Sequence, residues 1–148
     1  MRKYAKEPVV PVKLEHLTTP ADADWLDLEK IIAETAPTGL NPGSAEPGAD
    51  LRQWLSDDRW IMGARFNDRI IGAVLAERQG SVVTLSAAGV RKITQRRGVM
   101  HQLLHFIQRW AGEQNLTLQV NLDDCGLRAP LCNRGFSGDD AHLQFQPG

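Results

Sequence analysis

The sequence has few of the residues that support several common classes of site. Of 148 residues only two are cysteines, Cys125 and Cys132, and their spacing fits neither a CxxC redox pair nor a zinc half-site. No apolar run approaches the roughly 18 residues of a membrane span, and the charged start "MRKYAKEPVVPV" has no signal-peptide core behind it. We therefore expect a cytoplasmic protein with reduced cysteines and no membrane contact.

Charge of either sign is not in excess. Lys and Arg total 17 and Asp and Glu total 18, which gives a net charge of -1 and no bulk field for nucleic acid or an anionic membrane. The composition, 42% hydrophobic and 24% charged, is that of a globular protein, and the length suits one core. We expect a flexible lead-in over residues 1–8 and a single domain over residues 9–148.

The first part of the sequence predicts a strand followed by two helices. Alternating apolar residues in "VVPVKLEHL" are typical of a strand. Thr19 followed by Pro20 predicts a helix start, and the helix should end before Pro37. After the Pro- and Gly-rich loop "APTGLNPGSAEPGAD", which is either a surface insertion or a lid, Asp50 could cap the short helix "LRQWLS". The buried face predicted for the first helix consists of Trp25, Leu28, Ile31 and Ile32.

The second part predicts a meander and then a strand–helix–strand unit. The meander is "WIMGARF", "RIIGAVLAE" and "SVVTLSAAGV", with turns at Asn67-Asp68 and Gln79-Gly80. A helix from Gly98 to Ala111 should stop at Gly112 and is followed by the strand "LTLQVNL", a weak helix in "CGLRAPLCNRGF" and the strand "AHLQFQ". This order is that of an α+β domain with a central mixed sheet flanked by helices.

Positive charge is concentrated where the long helix begins. Arg96 and Arg97 directly precede Gly98. The first N–H groups of a helix lack internal partners, and the helix dipole adds partial positive charge there, so this position suits a phosphate or pyrophosphate. The alternatives are solvated arginines beside a turn glycine, or a nucleic-acid contact. Near-neutral net charge and the lack of an aromatic–basic surface pattern argue against the nucleic-acid contact.

The stretch "VRKITQRRGVM" resembles the pyrophosphate loop of the GNAT superfamily of N-acetyltransferases, whose signature is Gln or Arg, two residues, Gly, one residue, then Gly or Ala. Gln95 and Gly98 match this signature, Met100 stands where the small residue belongs, and "NRGF" resembles the C-terminal signature of the superfamily. The resemblance implies a GNAT-like fold with splayed central strands and bound acetyl-CoA or CoA. The implied cofactor-binding residues are Ala88, Gly89, Val90, Thr94, Gln95, Arg96, Arg97, Gly98, Val99, Met100 and His101.

Catalytic residues are not identified by the sequence. In the superfamily a tyrosine before the "GF" signature is often the acid, and that position is Leu131 here. Three carboxylates could serve as a base: Glu77, Asp123 and Asp124. Cys125 could act as an acid or a nucleophile. If one of the three carboxylates is the base, the protein is an acetyltransferase that acts on a small amine or a protein N-terminus, and this is one hypothesis.

Two histidines one helical turn apart, His101 and His105, have a spacing that can bind a metal. However, "HQLLH" lacks the glutamate of the HExxH motif, no third ligand is evident, and the apolar stripe lies elsewhere on the helix. We interpret both as solvent-facing residues and expect no metal.

Three segments resemble the aspartate 1-decarboxylase maturation factor family. They are "DLEKIIAETAPTGL", "ARFNDRIIGAV" and "VRKITQRRGV". The resemblance implies that the CoA-bound protein associates with the decarboxylase precursor, promotes its self-cleavage and lets CoA restrain pantothenate synthesis. It also implies that Arg65 and Asn67 contact the partner, whereas from the residues alone Asn67 is a turn former and Arg65 a solvated strand residue. The chain departs from the family in its lead-in, in the insertion at residues 41–58 and at Met100.

A charge reversal tests the placement of the pyrophosphate. Arg97→Glu should weaken acetyl-CoA binding, because it places a negative charge beside the negatively charged pyrophosphate. Isothermal titration calorimetry measures the effect, and an unchanged affinity would refute the placement.

Overall fold

In the part of the chain that the structure describes, seven strands form one sheet with helices on both faces. The computed structural model describes residues 11–35, 49–94, 97–121, 136–138 and 142–145. The strand order in the sheet is β1-β2-β3-β4-β5-β7-β6. The strands are β1 (Lys13–Leu17), β2 (Arg59–Phe66), β3 (Arg69–Gln79), β4 (Val82–Val90), β5 (Thr117–Asn121), β6 (Ser137–Gly138) and β7 (His142–Phe145).

The connections reproduce the predicted α+β order. Strands β1 to β4 pair antiparallel, β4 and β5 pair parallel, and β7 pairs antiparallel with both β5 and β6. Helices α1 (Asp22–Thr35) and α2 (Ala49–Trp54) lie between β1 and β2 in the chain, and α3 (Val99–Gln114) connects β4 to β5. The meander and the strand–helix–strand unit are confirmed, whereas β6 was not predicted.

Strand alternation divides the core between the two faces of the sheet. Successive strand residues point to opposite faces, so Ile61 and Leu75 pack with α1, while Met62 and Val74 pack with α3. The predicted face of α1 is buried, with Leu28 and Ile31 fully so. The buried residues of α3 are Val99, Leu103, Leu104, Ile107 and Ala111.

Three predicted boundaries of the helices were wrong. Helix α1 begins at Asp22 rather than at Thr19-Pro20, because the Asp24 carboxylate accepts a hydrogen bond from the Ala21 N–H at 3.3 Å and caps the turn there. Asp50 lies inside α2 and does not precede it.

The third boundary concerns the end of α3, which runs past Gly112 to Gln114. Asn115 takes the left-handed conformation at φ 59°, and the N–H of buried Leu116 donates to the Ala111 carbonyl at 2.8 Å. This closure matches the Schellman pattern, in which asparagine substitutes for glycine. The predicted weak helix, the lead-in at residues 1–8 and most of the Pro- and Gly-rich loop lie outside the described residues.

A buried carboxylate joins α1 to the beginning of β3. The Asp27 side chain is 3% exposed, lies 2.6 Å from the Arg69 guanidinium and accepts the Ile70 N–H at 3.0 Å. Burial by itself would raise the Asp27 pKa, but the hydrogen bonds from Arg69 and Ile70 outweigh it and lower the pKa below its ordinary value of 3.8. Asp27 is therefore charged in the folded protein at neutral pH.

Replacing this carboxylate should cost stability in a pH-dependent way. Asp27→Asn should lower the free energy of unfolding by about 1–3 kcal/mol at pH 7, because it weakens charge-assisted hydrogen bonds in a buried position. Since the folded-state pKa is depressed, the pH-dependent part of this difference is complete above the ordinary value of 3.8 and declines as pH falls below it. Urea unfolding of both proteins between pH 3 and 7 measures this, and a difference that grows as pH falls would contradict it.

Candidate functional site at the end of the central strands

Within the described residues, the parallel pairing of β4 with β5 ends partway along β4. The two strands pair from Val82 with Thr117 to Leu85 with Val120. An irregularity follows on β4, since Ala76 pairs with Leu85 but Leu75 pairs with Ala87, which leaves Ser86 as an extra residue. Within the described part of the chain, the remainder of β4 pairs with β3 alone. One edge of that segment, which includes Ala88, Gly89 and Val90, therefore offers backbone groups toward the space between the strands.

The chain passes from this edge to the start of α3 through a tight turn. Lys92–Thr94 forms a 3-10 turn, and Thr94 is buried with its hydroxyl donating to the Arg91 carbonyl at 2.9 Å. The Arg97 N–H donates to the Thr94 carbonyl at 3.2 Å, and Gly98 has φ 79°. The predicted site residues Gln95 and Arg96 lie outside the described residues.

The start of α3 has the properties of an anion-binding helix terminus. Gly98 occupies the N-cap position, and because glycine has no side chain it makes no side-chain hydrogen bond to the first N–H groups of the helix. Glycine tolerates the positive φ and lets a ligand approach the backbone closely. The helix is 16 residues long, so the positive end of its dipole adds to this site. Val99, Met100 and His101 follow in the first turn, with Val99 buried, Met100 half-buried against the core and His101 exposed.

Two contacts fix where α3 begins. A Cβ on Gly72 would lie 2.9 Å from Cγ1 of Val99, so glycine in β3 permits the close approach of the helix. The Gln102 amide donates to the Gly98 carbonyl at 3.1 Å, and its oxygen accepts the Val12 N–H at 3.2 Å. The first turn of α3 is thereby attached to β3 and to the segment before β1.

Helix α1 supports the other side of the turn. One Glu34 carboxylate oxygen accepts the Arg91 Nε–H at 2.9 Å and the Lys92 N–H at 2.8 Å, and these bonds lower the Glu34 pKa. A Cβ on Gly89 would lie 2.8 Å from Cγ2 of Ile31, so β4 also lies directly against the helix. Sequence reasoning did not identify Glu34 or Arg91 as part of the site, because no local signal pairs residues so distant in the chain.

The hairpin between β2 and β3 lies at the same end of the sheet. Asn67 and Asp68 have φ of 49° and 64°, which confirms the predicted two-residue turn. Gly72 pairs with Val90, and the Arg91 N–H donates to the Ile71 carbonyl at 2.8 Å. The turn and the loop before α3 are therefore neighbours across β3.

Arg65 is held by its own chain rather than solvated. Its guanidinium lies 3.0 Å from Glu15 and 3.2 Å from Asp24, and it donates to the Asp68 carbonyl at 3.1 Å. Its side chain is 20% exposed. Burial would lower the Arg65 pKa, but the hydrogen bond that Arg65 donates to Glu15 and the charge of Asp24 raise it. The guanidinium thus organises the hairpin corner, which we define as residues 65–69.

Of the possible catalytic residues, only Glu77 lies within the described part of the chain. It accepts a hydrogen bond from the Arg59 Nε–H at 3.2 Å and pairs with Thr84. Six residues separate Thr84 from Val90, which places Glu77 about 20 Å along the strand from the loop. Asp123, Asp124, Cys125 and Leu131 lie outside the described residues.

The predicted solvent-facing histidines are exposed on α3. His101 and His105 both lie on the outer side of the helix, and the His105 ring is 5.7 Å from that of Phe106. The described residues contain no group of three or more His, Cys, Asp and Glu side chains placed to hold a metal ion. None of the helices in the described ranges has the length and apolar character needed to cross a membrane.

Solved structures place this fold among the GNAT acetyltransferases. The Escherichia coli protein YhhK, solved by NMR with bound coenzyme A, superposes with a TM-score of 0.64 at 26% identity, covering 93% of this chain and 99% of that protein. The ribosomal-protein-S18-alanine N-acetyltransferase of Escherichia coli superposes with a TM-score of 0.69 at 11% identity, covering 90% and 91% of the two chains. The predicted fold class is confirmed.

Residues 11–128 match the family described as the PanZ acetyltransferase (GNAT) domain, and the chain belongs to this family. The PanD regulatory factor of Escherichia coli K12 is 34% identical over 89 residues, which is 60% of this chain and 60% of that protein. The resemblance stated for the segments around Asn67 and Gly98 is thereby confirmed at the level of the family.

Two residues with positive φ at opposite ends of α3 allow a matched test of the helix start. Gly98→Ala should lower the free energy of unfolding by about 1 kcal/mol, because an L-residue is strained at φ 79°. It should also weaken CoA binding about tenfold, since the methyl group obstructs approach to the backbone.

The control is Asn115→Ala, which removes a favoured left-handed residue at the far end of the same helix. It should cost comparable stability but leave CoA affinity unchanged. Calorimetry with CoA and urea unfolding measure both quantities. Equal losses of affinity in the two variants would show that the effect is only one of stability.

Proposed function

We propose that this protein binds CoA or acetyl-CoA at the start of α3 and, in that state, promotes the maturation of aspartate 1-decarboxylase and regulates it according to CoA level. The observation that carries the proposal is that the glycine at the start of α3 and the hairpin corner lie together at one end of the sheet. A relative named PanD regulatory factor and a CoA-bound neighbour support the two halves of the proposal.

The described residues fit the cofactor. Gly98 leaves room beside the helix terminus, and the N–H groups from Gly98 to Met100 provide donors for a pyrophosphate. Among the described residues, Thr94, Arg97, Val99 and His101 belong to the same turn, and Arg97 adds formal charge. Gln95 and Arg96 stand between them in the sequence and complete the proposed set. Ala88, Gly89 and Val90 provide the strand edge for the pantetheine arm. A bound acetyl-CoA would supply a thioester, and either form makes the state of the protein depend on CoA supply.

The fit does not depend on a small residue at position 100. The Met100 side chain packs partly against the core on the α3 face of the sheet. The backbone N–H groups of the first helical turn can bind an anion whichever side chain follows them, as long as that side chain points away from the anion. Met100 is therefore compatible with the proposed site.

The hairpin corner would contact the decarboxylase precursor. Asn67 is held at positive φ in a two-residue turn, so its amide projects from a rigid position and can exchange two hydrogen bonds with a partner backbone. Arg65 is already bonded to Glu15, Asp24 and Asp68, so we assign it a supporting role together with a contact through its exposed edge. Promotion of self-cleavage requires no acid or base from this protein.

A gel assay of precursor cleavage tests the proposal. The decarboxylase precursor of the same organism is incubated with and without this protein, and with and without acetyl-CoA or CoA. Cleavage that needs both the protein and the cofactor is expected. In parallel, thiol release with a panel of amines should stay at background. Intact precursor in every lane, or amine-dependent thiol release, would favour the acetyltransferase hypothesis.

Asn67→Gly sharpens this assay, because glycine accepts φ 49° and the turn is preserved while the amide is lost. We expect cleavage at least about tenfold slower, which corresponds to the loss of one or two interface hydrogen bonds. Asn115→Gly makes the same exchange at another left-handed asparagine, far from the corner, and should cleave at the normal rate. Normal cleavage with Asn67→Gly would remove Asn67 from the contact surface.

A further inference from the structure

Helix α1 carries three carboxylates that each hold an arginine belonging to a different strand end. The arginines lie at the end of β2, at the beginning of β3 and directly after β4. The pairs are Asp24 with Arg65 at 3.2 Å, Asp27 with Arg69 at 2.6 Å and Glu34 with Arg91 at 2.9 Å. One helix is therefore attached to three neighbouring strands at the end of the sheet that carries the proposed site.

The three carboxylates share one face of the helix. At about 100° per residue, Asp27 and Glu34 differ by only about 20° around the axis, and Asp24 lies within about 80° of both. Ile31 lies between them in the chain, is fully buried and packs where a Cβ on Gly89 would clash. The same face of α1 therefore carries both the apolar packing and the ion pairs. We call α1, with Asp24, Asp27 and Glu34, the brace across the strands.

Two of these carboxylates also bind main-chain groups at the strand ends. Asp27 accepts the Ile70 N–H at 3.0 Å, beside the hairpin corner, and Glu34 accepts the Lys92 N–H at 2.8 Å, in the turn that leads to Gly98. Hydrogen bonds to the backbone fix the course of the chain rather than only the rotamer of an arginine. The brace therefore joins the corner to the turn through the backbone at both ends.

We propose that α1 transmits the occupancy of the CoA site to the hairpin corner; this inference rests on the proposed function. Bonding of an anion to the first N–H groups of α3 restrains the adjoining turn. Glu34 passes that restraint to α1, and Asp24 and Asp27 pass it to the corner. The corner is then ordered before the partner arrives, so association costs less conformational entropy. By linkage, the partner strengthens CoA binding by the same factor.

A second route, through β3 rather than through α1, also joins the CoA site to the hairpin corner. The Arg91 N–H donates to the Ile71 carbonyl at 2.8 Å, and Ile71 is two residues from Arg69. Replacement of Glu34 interrupts the helical route and leaves this strand contact in place. The variant therefore separates the two routes.

Amide hydrogen exchange followed by NMR, with CoA alone, tests the helical route. The reporters are the Lys92 and Ile70 N–H groups, one at each end of the brace. In the unaltered protein CoA should slow exchange at both, by about fivefold or more at Ile70. In Glu34→Ala the effect of CoA at Ile70 should vanish, and Glu34→Gln should show an intermediate loss.

The matched control is Glu29→Ala on the same helix, where Glu29 and Arg52 form a half-exposed pair at 3.7 Å. It should retain the full effect of CoA at Ile70, which would show that loss in the Glu34 variants is specific. Retention of the effect in Glu34→Ala, or no effect of CoA at Ile70 in the unaltered protein, would overturn the proposal.

Precursor binding provides a second readout. The ratio of precursor affinities with and without CoA should be about five or more in the unaltered protein and close to one in Glu34→Ala. Retention of the ratio in Glu34→Ala would overturn the helical route. If the unaltered protein binds no precursor, the proposed function fails, while the exchange experiment still decides whether α1 couples the two places.

Discussion

The short parallel pairing of β4 with β5 determines the position of the proposed site. Among the described residues, four residues of β4 pair with β5, and the extra residue Ser86 then changes the register of β4 against β3. Helix α3 leaves from the far end of β4 and returns to the start of β5, so its first turn lies beside the part of β4 that follows this pairing. In the described part of the chain, the edge of β4 beyond Leu85 and the glycine-led terminus of α3 therefore face one region, which is a geometry that suits an elongated anionic ligand.

The electrostatics of this region follow from how a nearly neutral chain distributes its arginines. Arg65, Arg69 and Arg91 at the strand ends are matched by carboxylates of α1. Their charge serves the architecture, because partly buried ions need hydrogen-bonded counterions. The proposed anion site therefore relies on the start of α3 and on the basic residues that precede Gly98 in the sequence. A local site of this kind does not require a basic protein.

Most of the regular structure could be predicted because it depends on local patterns. Alternation in "WIMGARF" and "RIIGAVLAE", the Asn67-Asp68 turn and the apolar stripe of α3 each identify an element from neighbouring residues. The wrong helix boundaries also have local causes. Asp24, in the first turn of α1, sets the start of that helix, and Asn115 sets the end of α3. Neither position is marked by the proline and glycine signals on which the predictions relied.

What the sequence alone determined is the order of the α-helices and of every described strand except β6, the basic loop before α3 and the motif that indicates its proposed ligand, since periodicity, turn chemistry and helix termini act within a few residues. Only the tertiary structure decided that Arg65 is bonded within the chain, that Glu34 supports the turn after β4 and that the hairpin corner adjoins that turn. These relationships join residues dozens of positions apart. They depend on strand register and on the path of α1 across the sheet, which are set by the packing of the whole core.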